Sequence, residues 1–149
     1  MARAWPARAA GQLLARSTVA EATRKSRDRW GVMQLDHERL DVYDLALEFL
    51  VLANGIIEGL PRGRSHLSDQ FTRASLSIVL NLAEGAGKHS KLDKRRYYVT
   101  ARGSATESAA LLDVCQRLKL LDEAGHRAAK GMLVRIVSML IKLAQSCEE

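Results

Sequence analysis

Lys88, Lys91, Lys94, Arg95 and Arg96 put five cations into nine residues, and Tyr97 and Tyr98 follow them directly. Side chains of this kind at this density neutralise phosphates, and a tyrosine ring beside them can stack on an unpaired base. Arg62 and Arg64, in an upstream turn marked by Pro61 and Gly63, offer the same chemistry. The candidate nucleic-acid-binding set is therefore Arg62, Arg64, Lys88, Lys91, Lys94, Arg95, Arg96 and Tyr97. The plainer alternative is a solvated charged face with one of the two tyrosines in the core. No recognised base-reading motif accompanies the cations, so they point to RNA or DNA as a polyanion.

A second set is polar: Arg73, Asn81, Glu84, Arg102, Ser104 and Glu107. Catalysis would need a paired acid, a metal ligand or an activated nucleophile beside one of these carboxylates, and the spacing supplies none. Folding the chain back on itself at Lys88 brings Glu84 level with Leu92, within reach of Arg95 or Arg96. It sets Arg73 beside Gly103 and Asn81 near Arg95 and Tyr98. Arg102 and Glu107 then stand about 10 Å or more from Asn81 and Glu84 by helix rise. The set therefore reads as a structural polar network in two groups, fixing the turn and the register of its helices. Ser104 has no histidine linked to it by motif. His37, His66, His89 and His126 are scattered singly and read as surface residues. No metal site, cofactor or catalytic residue is expected.

These side chains must be carried by helices, because no strand pattern competes anywhere. Val42, Leu45, Ala46, Phe49, Leu52, Ala53 and Ile56 recur at helical spacing and predict a helix over 36–58, with Asp36, Glu38 and Asp41 in its favoured acidic first turns. Gly59, Pro61 and Gly63 end it. A second helix is predicted over 66–86. One stripe of it is Leu67, Phe71, Ala74, Ile78 and Leu82; another is Leu76, Val79, Leu80 and Ala83, which implies more than one neighbour. Gly85 and Gly87 are read as left-handed stop residues. A third helix is predicted over 91–120, capped by Ser90. Leu92, Val99, Ala105, Leu112, Cys115 and Leu118 should point inward, flanked by Leu111 and Val114. Gly103 inside it costs about 1 kcal/mol relative to alanine, which suggests close approach of another backbone. A fourth is predicted over 123–145, capped by Asp122, with an apolar face of Leu133, Ile136, Val137, Leu140, Ile141 and Leu143. Four long helices with short loops predict an all-α, antiparallel up-down four-helix bundle.

The chain has 149 residues, 47% hydrophobic and 27% charged, which suits one globular domain. Aromatics make up only 5%, so aliphatic side chains must build the core. The net charge of +6 is unevenly spread: +5 on residues 1–32, −5 on 33–61, +6 on 62–102 and zero on 103–149. Such polarity suits an anionic partner, or else the acidic first helix complements the basic hairpin within one subunit or between subunits. Residues 1–32 are expected to be a basic tail, flexible or an over-extended start to the reading frame, leaving 33–149 as the bundle domain. Cys115 and Cys147 lack ligand spacing and read as free buried thiols of a cytoplasmic protein. The apolar stretch from Leu45 to Ile57 contains Glu48 and is too short for a bilayer, so no membrane association is expected.

The region from Leu40 to about Leu121 resembles a bacterial family, the four-helix-bundle proteins encoded by intervening sequences in 23S ribosomal RNA genes. The resemblance rests on Val42-Tyr43 with Ala46, and on Gln70, Arg73-Ala74 and Ser77-Ile78. It continues in Asn81-Leu82-Ala83-Glu84-Gly85 with Lys88 and Ser90, then Ala101-Arg102-Gly103-Ser104 with Glu107, then Leu118, Leu120 and Leu121. Two features depart from the pattern. Ser108 stands where an apolar residue usually follows the glutamate, and Gly59-Leu60-Pro61 lacks the usual Phe-Pro pair. The resemblance implies a homo-oligomer, with a pentameric ring favoured, and no established enzymatic activity. A distant relation, the accessory protein of diversity-generating retroelements, serves a reverse transcriptase and binds nucleic acid. The expected function is accordingly a non-enzymatic accessory protein that binds RNA or DNA through its basic patch. The alternative is a protein–protein scaffold or adaptor without nucleic-acid binding.

Overall fold

The described chain begins with a single 3-10 turn, Asp36–Arg39, held by the Glu38 carboxylate, which accepts the Leu35 N–H at 2.8 Å. Leu40 is extended (φ −90°, ψ 118°) and separates this turn from α1, Asp41–Glu58. The helix predicted over 36–58 is thus two elements. In this computed structural model the structure describes residues 34–148; the readings made of residues 1–32 lie outside them. α2 spans Ser65–Ala86, α3 Lys91–Arg117 and α4 Glu123–Gln145. Each helix packs against its sequence neighbours, and α1 also packs against α4, which closes an up-down four-helix bundle. The described residues contain no strand.

The core is aliphatic, as the composition requires. Phe49, Phe71, Ile78, Leu82, Leu112, Leu133, Ile136 and Leu140 are fully buried, with the two phenylalanine rings 6.4 Å apart. Ser90 and Asp122 cap α3 and α4: Asp93 N–H donates to Ser90 Oγ (3.3 Å) and Gly125 N–H to Asp122 Oδ1 (2.7 Å). Ser108 is wholly buried, yet its hydroxyl donates to the Ser104 carbonyl at 3.0 Å, so the departure from the family pattern leaves no orphan group.

Several expectations are corrected. α3 ends at Arg117, not Leu120, because Lys119 takes a left-handed conformation (φ 58°). Leu120 N–H then reaches the Cys115 carbonyl (2.8 Å) and Lys119 N–H the Gln116 carbonyl (2.9 Å), the paired bonds of a Schellman cap. Gly87 keeps a right-handed backbone (φ −78°), and Gly85 lies within α2, so neither is a left-handed stop. Leu92 is 68% exposed, since its position six residues before buried Tyr98 puts it a third of a turn off the α3 core stripe. Leu118, 45% exposed, has left the helix at its cap. The second stripe of α2 is divided: Val79 is buried, Ala83 half-buried, and Leu76 and Leu80 face outward. No helix among the described residues is long and apolar enough to cross a membrane. Cys115 is buried and Cys147 only half-buried, both unpaired thiols.

Candidate nucleic-acid interface

α2 and α3 meet most intimately where Gly85 lies against the first turns of α3. A Cβ on Gly85 would sit 2.9 Å from Tyr97 Cβ and 2.8 Å from Tyr98 Cε1. Further along, Ser77 Oγ lies 2.8 Å from Ser104 Oγ. Both contacts place the pivot of the hairpin near Ser90 rather than Lys88, because the turn itself takes up residues. The predicted pairings shift accordingly.

The polar set separates. Asn81 Nδ2 donates to the Ser77 carbonyl (2.8 Å) and to Ser77 Oγ (3.0 Å), and Ser104 Oγ donates to the Thr100 carbonyl (3.2 Å). One proton per hydroxyl then fixes a direction of donation: Asn81 to Ser77, Ser77 to Ser104, Ser104 to Thr100. This chain ties α2 to α3. Arg73, Glu84, Arg102 and Glu107 stand outside it, exposed on the same two helices. Glu84 pairs with neither Arg95 nor Arg96, whose ion pairs go to Glu148 and Asp93. Ser77, the centre of the link, is one of the residues that carry the family resemblance but is absent from the predicted polar network; its spacing of four before Asn81 was the available signal. Gly103 is exposed and a Cβ there would meet nothing within 4 Å, so no backbone approaches it.

The basic set separates too. Lys88, Lys91, Lys94, Arg95, Arg96 and Tyr97 gather at the α2–α3 turn. Arg62 and Arg64 lie at the other end of α2, roughly 30 Å away by helix rise. Arg95 Nε is 2.7 Å from Glu148 Oε1, and Arg96 is a looser 3.8 Å from Asp93. Lys91 and Lys94 have no ion-pair partner among the described residues. Among the described residues neither Asp36 nor Glu38 forms an ion pair with this run. Tyr97 lines an open cavity of about 310 Å³ with Lys88, Asp93, Arg96 and Thr100, and Lys88 Nζ sits 4.9 Å from its ring centroid. Tyr98 is the core tyrosine, 3% exposed. Burial pushes its phenol up to about 12, with Cys147 and Asp36 adding to the effect.

A cluster missed in the sequence joins α3 to α4. Asp113 Oδ1 lies 2.7 Å from His126 Nε2 and 2.5 Å from Lys130 Nζ. The hydrogen bonds from Lys130 and His126 hold the Asp113 carboxyl below its usual range. Folding the chain about the α3–α4 turn would have brought these residues level. Together they clamp the two helices to each other.

Residues 38–142 match the model of a family described as 23S rRNA-intervening sequence protein. The chain belongs to that family. The family's matched region takes in all of α1, α2 and α3, and with them the basic turn and the serine link. The crystal structure of a protein of unknown function from the S23 ribosomal protein family of Bacteroides thetaiotaomicron is similar in fold, with a TM-score of 0.65 at 23% identity. The likeness covers 70% of this chain and 95% of that one. No curated protein matches the chain in sequence.

Proposed function

We propose that the chain is a non-enzymatic, self-associating helical bundle that binds RNA or DNA through the cations of the α2–α3 turn, as an accessory to a nucleic-acid enzyme. The observation that carries this reading is the crowding of Lys88, Lys91, Lys94, Arg95 and Arg96 at one end of the bundle, with Lys91 and Lys94 free of ion pairs among the described residues. A family named for ribosomal RNA intervening sequences fits a nucleic-acid context. Self-association is supported by Leu76 and Leu80, 41% and 53% exposed on adjacent turns of one face of α2. A symmetric assembly, with the pentamer favoured, would repeat the basic turn in each copy and so multiply its field. Arg62 and Arg64, at the far end, would contact phosphate only of a long or separately bound strand.

Binding of this kind is electrostatic and falls steeply with salt. About four phosphate contacts on a single strand give a slope of log K against log salt of about −3. Titration of labelled RNA at several salt concentrations measures it directly. A flat salt response, or no binding even at low salt, sinks the reading. The exposed leucines also favour a second reading, a scaffold that docks another protein. A stoichiometric protein partner retained after nuclease treatment would support the scaffold; loss of every partner on nuclease treatment would count against it.

A further inference from the structure

The two adjacent tyrosines of α3 have opposite fates, and the outward one lines an open hollow on the surface. Tyr98 is in the core, whereas Tyr97 is anchored at its Cβ against Gly85 and presents its ring to the space lined by Lys88, Asp93, Arg96 and Thr100. That space is about 310 Å³ and open to solvent. We propose that it receives one unpaired base of a single-stranded RNA or DNA, stacked on Tyr97, with Lys88 and Arg96 on the flanking phosphates. This rests on the nucleic-acid reading above and narrows it to a strand class.

Three features favour a base over a bare phosphate. The aromatic wall gives a phosphate nothing, while every base has a face that stacks on it. Asp93, at the rim, repels a phosphate but accepts a hydrogen bond from a base amino group. Lys88 rests on the ring through a cation–π contact at 4.9 Å between two half-buried residues, and base stacking is of comparable strength or stronger. An entering base therefore displaces the flexible lysine head, which swings to the adjoining phosphate. A duplex keeps its bases paired and stacked, so it engages the outer cations and leaves the cavity unfilled.

The test uses the full chain and three fluorescent ligands of matched label: a single strand of mixed sequence, the same sequence as a duplex, and a nucleoside monophosphate. Affinities are measured for the wild type, Tyr97→Leu and Tyr97→Phe, with helix content checked by circular dichroism. The expected result is that Tyr97→Leu weakens the single strand about tenfold, leaves its salt slope and the duplex affinity unchanged, and that Tyr97→Phe binds like the wild type. If Tyr97→Leu binds the single strand as well as the wild type, or loses both ligands equally, the stacking site is overturned while salt-dependent binding by the wild type keeps the parent reading. A monophosphate bound as tightly as the strand overturns the strand assignment. Absence of binding to every ligand at low salt ends both.

Discussion

A Cβ added to Gly85 would fall under 3.0 Å from Tyr97 Cβ and from the Tyr98 ring, and that ring is locked in the core, so it cannot yield cheaply. A Cβ on Gly103 would meet nothing. Gly85→Ala should therefore destabilise the fold by about 1 kcal/mol net, the crowding penalty of roughly 1–3 kcal/mol outweighing the gain of about 1 kcal/mol in helix propensity. Gly103→Ala should stabilise it by up to about 1 kcal/mol, since only propensity changes. Urea denaturation of the two variants reads both signs. If Gly85→Ala is neutral and Gly103→Ala costly, α2 and α3 pack in a different register. The sequence points instead to a helix stop at Gly85 and to close approach at Gly103. Glycine type and helix position are visible in a sequence; which face meets a neighbour depends on cross-helix register, and that depends on how many residues the turn consumes. The same register error joined Glu84 to Arg95, which instead pairs with Glu148, and hid the partnership of Ser77 with Ser104.

The elements were legible because apolar spacing and capping chemistry are local. Ser90 and Asp122 start α3 and α4 as their types predict, and the buried face of α1 is the predicted stripe, whereas α4 buries Leu133, Ile136 and Leu140 of its predicted face but leaves Ile141 exposed. Leu40 and Lys119 were not legible, because neither residue type signals an extended break or a left-handed cap. The clamp between α3 and α4 was hidden for a related reason: Asp113, His126 and Lys130 are unremarkable singly and acquire meaning only when the two helices lie side by side. Because Lys130 and His126 hold the Asp113 carboxyl below its usual range, the clamp favours the ionised form in the fold. Its contribution is present above the unfolded carboxylate value, about 4, and is lost as pH falls through the folded one. Asp113 is about half exposed, so screening limits the contribution to at most about 1 kcal/mol. Asp113→Asn should accordingly be slightly less stable than the wild type near neutral pH, and the gap between them should close in acid. Denaturation midpoints of both proteins across that range measure it; a gap that widens in acid contradicts the clamp.

At the scale of the whole molecule, the cations and the exposed leucines of α2 are placed on different parts of the bundle. The cations crowd the α2–α3 turn, whereas Leu76 and Leu80 lie along the middle of α2, and Val51 and Leu47 are exposed on neighbouring α1 (54% and 37%). The sequence showed that α2 is apolar on two sides; it did not show that Leu76 and Leu80 of the second side are left exposed among the described residues. If copies of the chain cover that side, the basic turns are brought together and a long strand can engage several at once, gaining affinity through effective concentration rather than through new contacts. Replacing Leu76 and Leu80 together by glutamine leaves the net charge and the basic turn untouched. The double variant should keep its helix content but fall to monomer mass by light scattering. Its affinity for a strand short enough to touch one turn should match the wild type, while its affinity for a long strand should drop by tenfold or more. Equal loss on both strands would mean that the leucines act on the binding site itself. An unchanged mass would mean that copies do not meet through this face, and would leave the apolar stripe to a different protein.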